Sequence, residues 1–290
     1  MKILKGVLSF LIVFIFQIFV ITLVEYLIFV SIPGIRQELI ESLAGKSVHI
    51  NHIISYLFIY VEWFGNILFR GDFGLLTSNG QPINQFIFYC TRLTLKLVVG
   101  GLLFSIVMSL GLILLKQKFS DSRIVKGLLS AIQILSSIHY IVLGYFVVVF
   151  WTAIRYDDSL WPLLVLAIGN SMLNDMMHLI EEEYQQIINS KYMRAARARG
   201  GNLFKNVLKP FAIALIRIVN SKFPMVLGGS FIIEFVLNIE GLGMQILRHG
   251  INGMNYNLLL IITMIITVFI IFVNTLTNYT QKILDPRPVR

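Results

Sequence analysis

Six stretches of this chain are each apolar over the length of a membrane crossing, and no other feature limits the fold as strongly. They run over about 7–30, 97–115, 128–150, 161–179, 211–237 and 257–279. Crossing roughly 30 Å of hydrocarbon takes about 20 apolar residues in a helix, because every backbone polar group must be satisfied within the segment. The stretches lack the short alternation of a transmembrane barrel strand. Of the 290 residues 57% are hydrophobic and only 13% charged, more apolar surface than one soluble core can hide. The expectation is an all-α polytopic membrane protein with six transmembrane helices.

The first stretch follows Lys2 and Lys5, as a signal peptide would, but its apolar run continues for some 24 residues and no small-x-small site follows. Residues 1–30 are therefore expected to be a retained anchor. Lys and Arg gather in short cytoplasmic loops, which orients the rest. With the N-terminus inside, fifteen fall on the cytoplasmic pieces, six of them between Lys191 and Lys209. Five fall outside: Arg36, Lys46, Arg70, Arg155 and Arg248. Both termini are then cytoplasmic. The run at 53–69 is interrupted by Glu62, Gly65 and Asn66, and a seventh crossing there would reverse the charge bias. It is read as an amphipathic part of an external domain at 31–90, followed by a five-helix core at 91–290.

The same sorting accounts for the net charge of +9, which faces anionic lipid rather than nucleic acid. Cys90 is the single cysteine, so no intramolecular disulfide can form. The familiar catalytic signatures are missing from the sequence. AGKS at 44–47 has Ile40 where a phosphate loop needs its first glycine, and neither GxSxG nor HExxH occurs. His49 and His52 stand three apart without a third ligand nearby, while His139, His178 and His249 are isolated. The chain is expected to be no enzyme, with no metal and no cofactor. Charged residues in or near the spans are better pointers, since each costs roughly 2.5 to 3.5 kcal/mol on insertion scales unless it finds a partner. These are Glu25, Asp175, Arg217, Lys222 and Glu234.

The segment 181–210 has its own pattern. Tyr184, Ile188, Tyr192 and Ala196 recur every four residues, while Lys191, Arg194 and Arg197 recur every three. This predicts an amphipathic helix ending at Gly200-Gly201, then a short helix capped by Asn202 and running to Pro210. Ala195, Ala196 and Ala198 leave room for a partner backbone.

The stretch EEEYQQIINSKYMRAARARGGNLFKNVLK resembles the coupling loop of ABC-importer permeases, most closely in the oligopeptide, dipeptide and nickel branch. Tyr192, Arg194, Ala196, Arg197, Ala198 and Gly200 match that branch's pattern, with Ala195 for a threonine and Arg199 for a lysine. GDFGLLTSNGQPI resembles its external motif through Gly71, Asp72 and Gly74; GGSFIIEFVLNIEGLGMQIL resembles another through Glu234, Gly241 and Gly243; LDPRPVR resembles its terminus. The sequence departs from the family where Lys191, His178 and Glu181 replace an aspartate and two arginines, and where Arg217 stands about where a proline is usual. The resemblance implies a type I importer permease fold in a bacterial plasma (inner) membrane. It also implies a second homologous permease, two cytoplasmic ATPase subunits that hydrolyse the ATP, and an external substrate-binding protein. Peptides are the leading substrate class, with nickel or a metal chelate as the alternative. An ion-coupled secondary transporter is the more distant rival, since the two halves show no visible internal symmetry.

Overall fold

A computed structural model of the chain describes residues 2–32, 36, 39, 53–74, 82–150, 160–200, 202–251 and 256–284. AGKS, His49, His52 and the last six residues lie outside these. The described elements are helical: α1 (Lys2–Ser31), α2 (Ile53–Arg70), α3 (Ile83–Lys118), α4 (Arg123–Ser136), α5 (Tyr140–Phe150), α6 (Trp161–Ile168), α7 (Met172–Asn189), α8 (Lys191–Ala198), α9 (Leu203–Val236), α10 (Leu242–Gln245), a π-helical turn (Ile246–Ile251) and α11 (Tyr256–Leu284). Among the described residues, four helices are long and apolar enough to cross a membrane: Leu11–Ser31 of α1, α3, Phe204–Val236 of α9, and α11. Counting each of two bent pairs, α4 with α5 and α6 with α7, as one crossing brings the number to six.

By packing, the chain divides into two units. The first comprises Met1–Leu93 with Glu240–Thr275, and the second Thr94–Ile239 with Leu276–Arg290.

In the first unit α2 lies on α1 through an aromatic cluster around the fully buried Tyr60, whose ring meets Phe19 at 5.6 Å, Tyr26 at 5.2 Å and Phe64 at 5.6 Å. The Tyr60 hydroxyl lies 2.6 Å from that of Thr22, so its polar tip is satisfied inside the pair. On another side of α1, Phe14 meets Phe272 edge to face, Gln17 accepts from Thr275, and Glu25 accepts from the Thr267 hydroxyl. The numbering descends on α11 as it rises on α1. The two helices are therefore antiparallel along residues 14–25 and 267–275.

The second unit is a bundle closed by small residues, as expected where helices pack without a hydrophobic drive between them. A methyl group at Gly101 would come within 2.7 Å of the Leu166 side chain, one at Gly144 within 2.7 Å of Val236, and one at Gly229 within 2.8 Å of the Tyr140 ring. Two spans expected as single helices, 128–150 and 161–179, are broken. α4 and α5 meet at 100°, α6 and α7 at 58°. The breaks fall at Ser137-Ile138-His139 and Gly169-Asn170-Ser171, and they satisfy each other: Ser171 N–H donates to the Ser136 carbonyl (2.6 Å), Asn170 N–H to the Ile138 carbonyl (2.9 Å), and the Ser136 hydroxyl to the Ile168 carbonyl (2.8 Å). Irregular backbone at membrane depth needs such partners. Asn170 and Ser171 take positive φ of 54° and 61° to make this crossing of loops.

Candidate functional site: the basic elbow between α7 and α9

The segment from Glu181 to Pro210 does form helix, turn and helix, with two differences from the pattern read in sequence. The first helix is not continuous. α7 ends at Asn189, Ser190 is extended, and the Ser190 hydroxyl accepts from Met193 N–H to cap α8. Serine competes for backbone groups and so favours caps over helix interiors. The four-residue apolar spacing was carried through this break and so found Ala196 of the seat of α8 but not Met193. That seat is Met193 and Ala196, one turn apart and both buried, while Tyr192 is exposed and its hydroxyl donates to Asn206 Oδ1 (3.1 Å).

The second difference is the length of α9. Gly200 takes the left-handed conformation, φ +67°, directly after α8, and Asn202 caps α9 by accepting from Lys205 N–H. But α9 runs through both Pro210 and Pro224 to Val236 rather than stopping at Pro210. Prolines are tolerated in membrane helices whose neighbours take up the freed carbonyls.

The elbow's other sequence-selected residues divide by face. Tyr184 packs edge to face on Phe211 at 6.2 Å. The Ile188 carbonyl accepts from Arg197 Nη2 at 3.4 Å. Arg194, Ala195, Arg197 and Ala198 are exposed. Of the three alanines, Ala195 and Ala198 are open to a partner and Ala196 faces the interior of its own unit. Behind α8, a groove of about 1070 Å³ is walled by apolar side chains including Ile113, Tyr184, Ile188, Phe204 and Phe211, with Lys116 and Glu181 at its polar edge.

Ion pairs tie α7 to its neighbours. Lys116 of α3 reaches Glu181 (2.8 Å), Arg217 of α9 reaches Glu183 (3.0 Å), and Lys222 of α9 reaches Asp175 (2.6 Å). The charges flagged at Asp175, Arg217 and Lys222 are thus mutually neutralised. Glu234 is completely buried rather than at an interface and accepts from the Thr94 hydroxyl at 2.6 Å.

In the first unit the Gly71–Gly74 motif is a fixed turn between α2 and α3. Asp72 Oδ1 accepts from Gly74 N–H (2.9 Å), Asn84 Nδ2 donates to the Gly71 carbonyl (2.6 Å), and Phe73 N–H donates to Asn84 Oδ1 (3.1 Å). Gly71 and Gly74 have φ of +62° and +87°, which explains the two glycines. The Gly-Leu-Gly stretch begins α10: Gly241 is its N-cap, and Gly243 is buried in its first turn. There Glu240 receives Gln245 Nε2 (2.7 Å) and Arg248 Nη1 (2.8 Å). Burial and then the neighbouring Arg248 hold His249 below the usual histidine range, against the opposing pull of Glu240. Asn84, Thr94, Met193 and Glu240 carry these sites but were not singled out in the sequence; Thr94 in particular acts on Glu234, 140 residues away, a distance that only the fold closes.

The family described as binding-protein-dependent transport system inner membrane component matches residues 101–290. The chain belongs to this family and is an ABC-importer permease of the peptide and nickel branch, with the type I permease fold. It is 24% identical over 309 residues to the nickel import system permease protein NikB of Staphylococcus aureus (strain MRSA252), a match that covers 99% of this chain and 92% of that protein. It is also 22% identical over 250 residues to a probable peptide ABC transporter permease protein of Sinorhizobium fredii, covering 79% of each.

Proposed function

We propose that this permease imports peptides, works with separate ATPase subunits and takes its substrate from an external binding protein, with the α8 elbow as the ATPase contact. The observation that supports this best is the exposed face of α8. It offers Arg194, Ala195, Arg197 and Ala198 around a helix seated on its own unit by Met193 and Ala196. Small residues permit close backbone approach, and the seat lets a push on α8 pass to α7 and α9. The fifteen-to-five bias of basic residues supports a cytoplasmic elbow, with both termini on that side and residues 31–90 outside. A nickel importer is the second reading, supported by the full-length similarity to the staphylococcal nickel permease.

Reconstitution of the permease pair in liposomes, with and without the ATPases and with the binding protein present, tests the reading. Uptake of labelled peptide is expected only with the ATPases and ATP. Concentrative uptake by the permeases alone under a proton or sodium gradient would refute it. Nickel in place of peptide would select the second reading.

A further inference from the structure

Two ion pairs join α7 to α9. Asp175 falls in the 161–179 apolar run and Arg217 and Lys222 in the 211–237 run, while Glu183 stands at the start of the elbow. The Asp175 side chain is 41% exposed while Lys222 behind it is 15% exposed; in the second pair Arg217 is 51% exposed and Glu183 22%. The outward member is thus the acid in one pair and the base in the other. Asp175, Arg217 or Lys222 exposed to hydrocarbon within its span would cost up to roughly 2.5 to 3.5 kcal/mol, so this face meets water or protein. The lipid-type exposure of the same unit looks different: on α3 it consists of Val99, Leu103, Val107 and Leu114. Lys222 and Arg217 each bind one carboxylate oxygen of their partners, Oδ2 of Asp175 and Oε2 of Glu183. Asp175 and Glu183 are two turns apart on one stripe of α7 with Leu179 between them, a separation of about 12 Å at 1.5 Å per residue. An extended chain covers that distance in about three to four residues.

Resting on the peptide-permease reading, we propose that this seam lines the translocation path and receives a short zwitterionic peptide. Its ammonium end is received by Asp175 and its carboxylate end by Arg217. Each pair is a charge the substrate can borrow: the peptide ammonium shares the Asp175 carboxylate with Lys222, and the peptide carboxylate shares the Arg217 guanidinium with Glu183. The path stays neutral when empty, and both ends of the cargo find a partner when it is full.

The test uses the assembled transporter in proteoliposomes, in a Cys90→Ala background, with single cysteines replacing Leu179, Ser221 or Val107. Cysteines at 179 and 221 are expected to react with an impermeant cationic thiol reagent, and one at 107 is not. Labelling at 179 and 221 only when the second permease is left out would make the seam a subunit interface and overturn the proposal. For uptake of a tetrapeptide, Asp175→Asn is expected to raise KM about tenfold or more, the scale of one charge-assisted hydrogen bond, with kcat within about twofold. N-acetylation of the peptide should abolish the difference. Arg217→Gln should behave likewise toward C-terminal amidation. Because Asp175→Asn strands Lys222, the double variant Asp175→Asn/Lys222→Gln repeats the measurement without an orphaned charge, and an unchanged KM there overturns the ammonium site. Absence of ATP-dependent uptake of any peptide by the wild type would instead strike the underlying reading, whatever the labelling shows. Nickel uptake that needs Asp175 and ignores Arg217 would replace the peptide by a bare cation.

Discussion

Glu234 and Thr94 show how much one buried polar contact can hold. The carboxylate has no exposed surface and Thr94 is equally buried, so each relies on partners within the fold. Replacing Glu234 with alanine removes the acceptor 2.6 Å from the buried Thr94 hydroxyl, at a cost of about 1–3 kcal/mol. The detergent-solubilised protein should lose thermal stability accordingly, and Glu234→Gln, which keeps an acceptor, should lose less than half as much. Two glycines give a contrasting pair. At Gly200 an added Cβ meets nothing within 4 Å, so Gly200→Ala should cost only the left-handed backbone term, about 1–2 kcal/mol, and Gly200→Asn less. At Gly74 the same term is joined by a Cβ only 3.3 Å from Asn257 Nδ2, so Gly74→Ala should be the worse of the two in the same thermal assay. Equal losses would mean that the space around Gly74 yields. The sequence marked Gly200 by its helix-ending pattern, Glu234 as a charge near a span, and Gly74 by family resemblance. It gave no reason to pair Glu234 with Thr94, which lies 140 residues earlier.

At the scale of elements, α8 is a short helix defined by its ends. Ser190 starts it and Gly200 follows it, both visible in sequence, though only the glycine was read as a boundary. Ser190→Ala removes the hydroxyl that caps α8, worth about 0.5–2 kcal/mol locally. Hydrogen exchange over 191–198 should then rise while 172–189 stays protected. Equal protection in the variant would mean that Met193 and Ala196 hold the helix without its cap. Seated this way, α8 presents Arg194 and Ala198 outward, and cysteines at these two positions should cross-link to an ATPase subunit, whereas Ala196→Glu should fail by destabilising the elbow itself. α9 taught the opposite lesson. Pro210 reads as a stop in any soluble chain, yet the helix continues for another six or seven turns because the surrounding bundle, not local propensity, sets its length.

For the whole molecule, sidedness is the testable quantity. The antiparallel pairing of α1 with α11 fits the proposed orientation, in which both termini are cytoplasmic. In a background lacking Cys90, cysteines replacing Ser47 and Ser78 should both react with an impermeant reagent added outside, and one replacing Arg199 should react only in inverted vesicles. Labelling of 47 and 78 from opposite sides would mean that α2 crosses the membrane.

The sequence by itself determined the class of this molecule, because hydrocarbon leaves a backbone few solutions and the length of an apolar run reports directly on them. It also marked the elbow, since a glycine pair and a run of six bases between apolar stretches have a strong local signature. Tertiary structure decided what no local signal carries. It broke two spans where Ser171 N–H donates to the Ser136 carbonyl, paired Glu234 with Thr94, and matched Asp175 with Lys222 across two helices. In each case the partner lies tens of residues away, and only the packed bundle brings the two within reach.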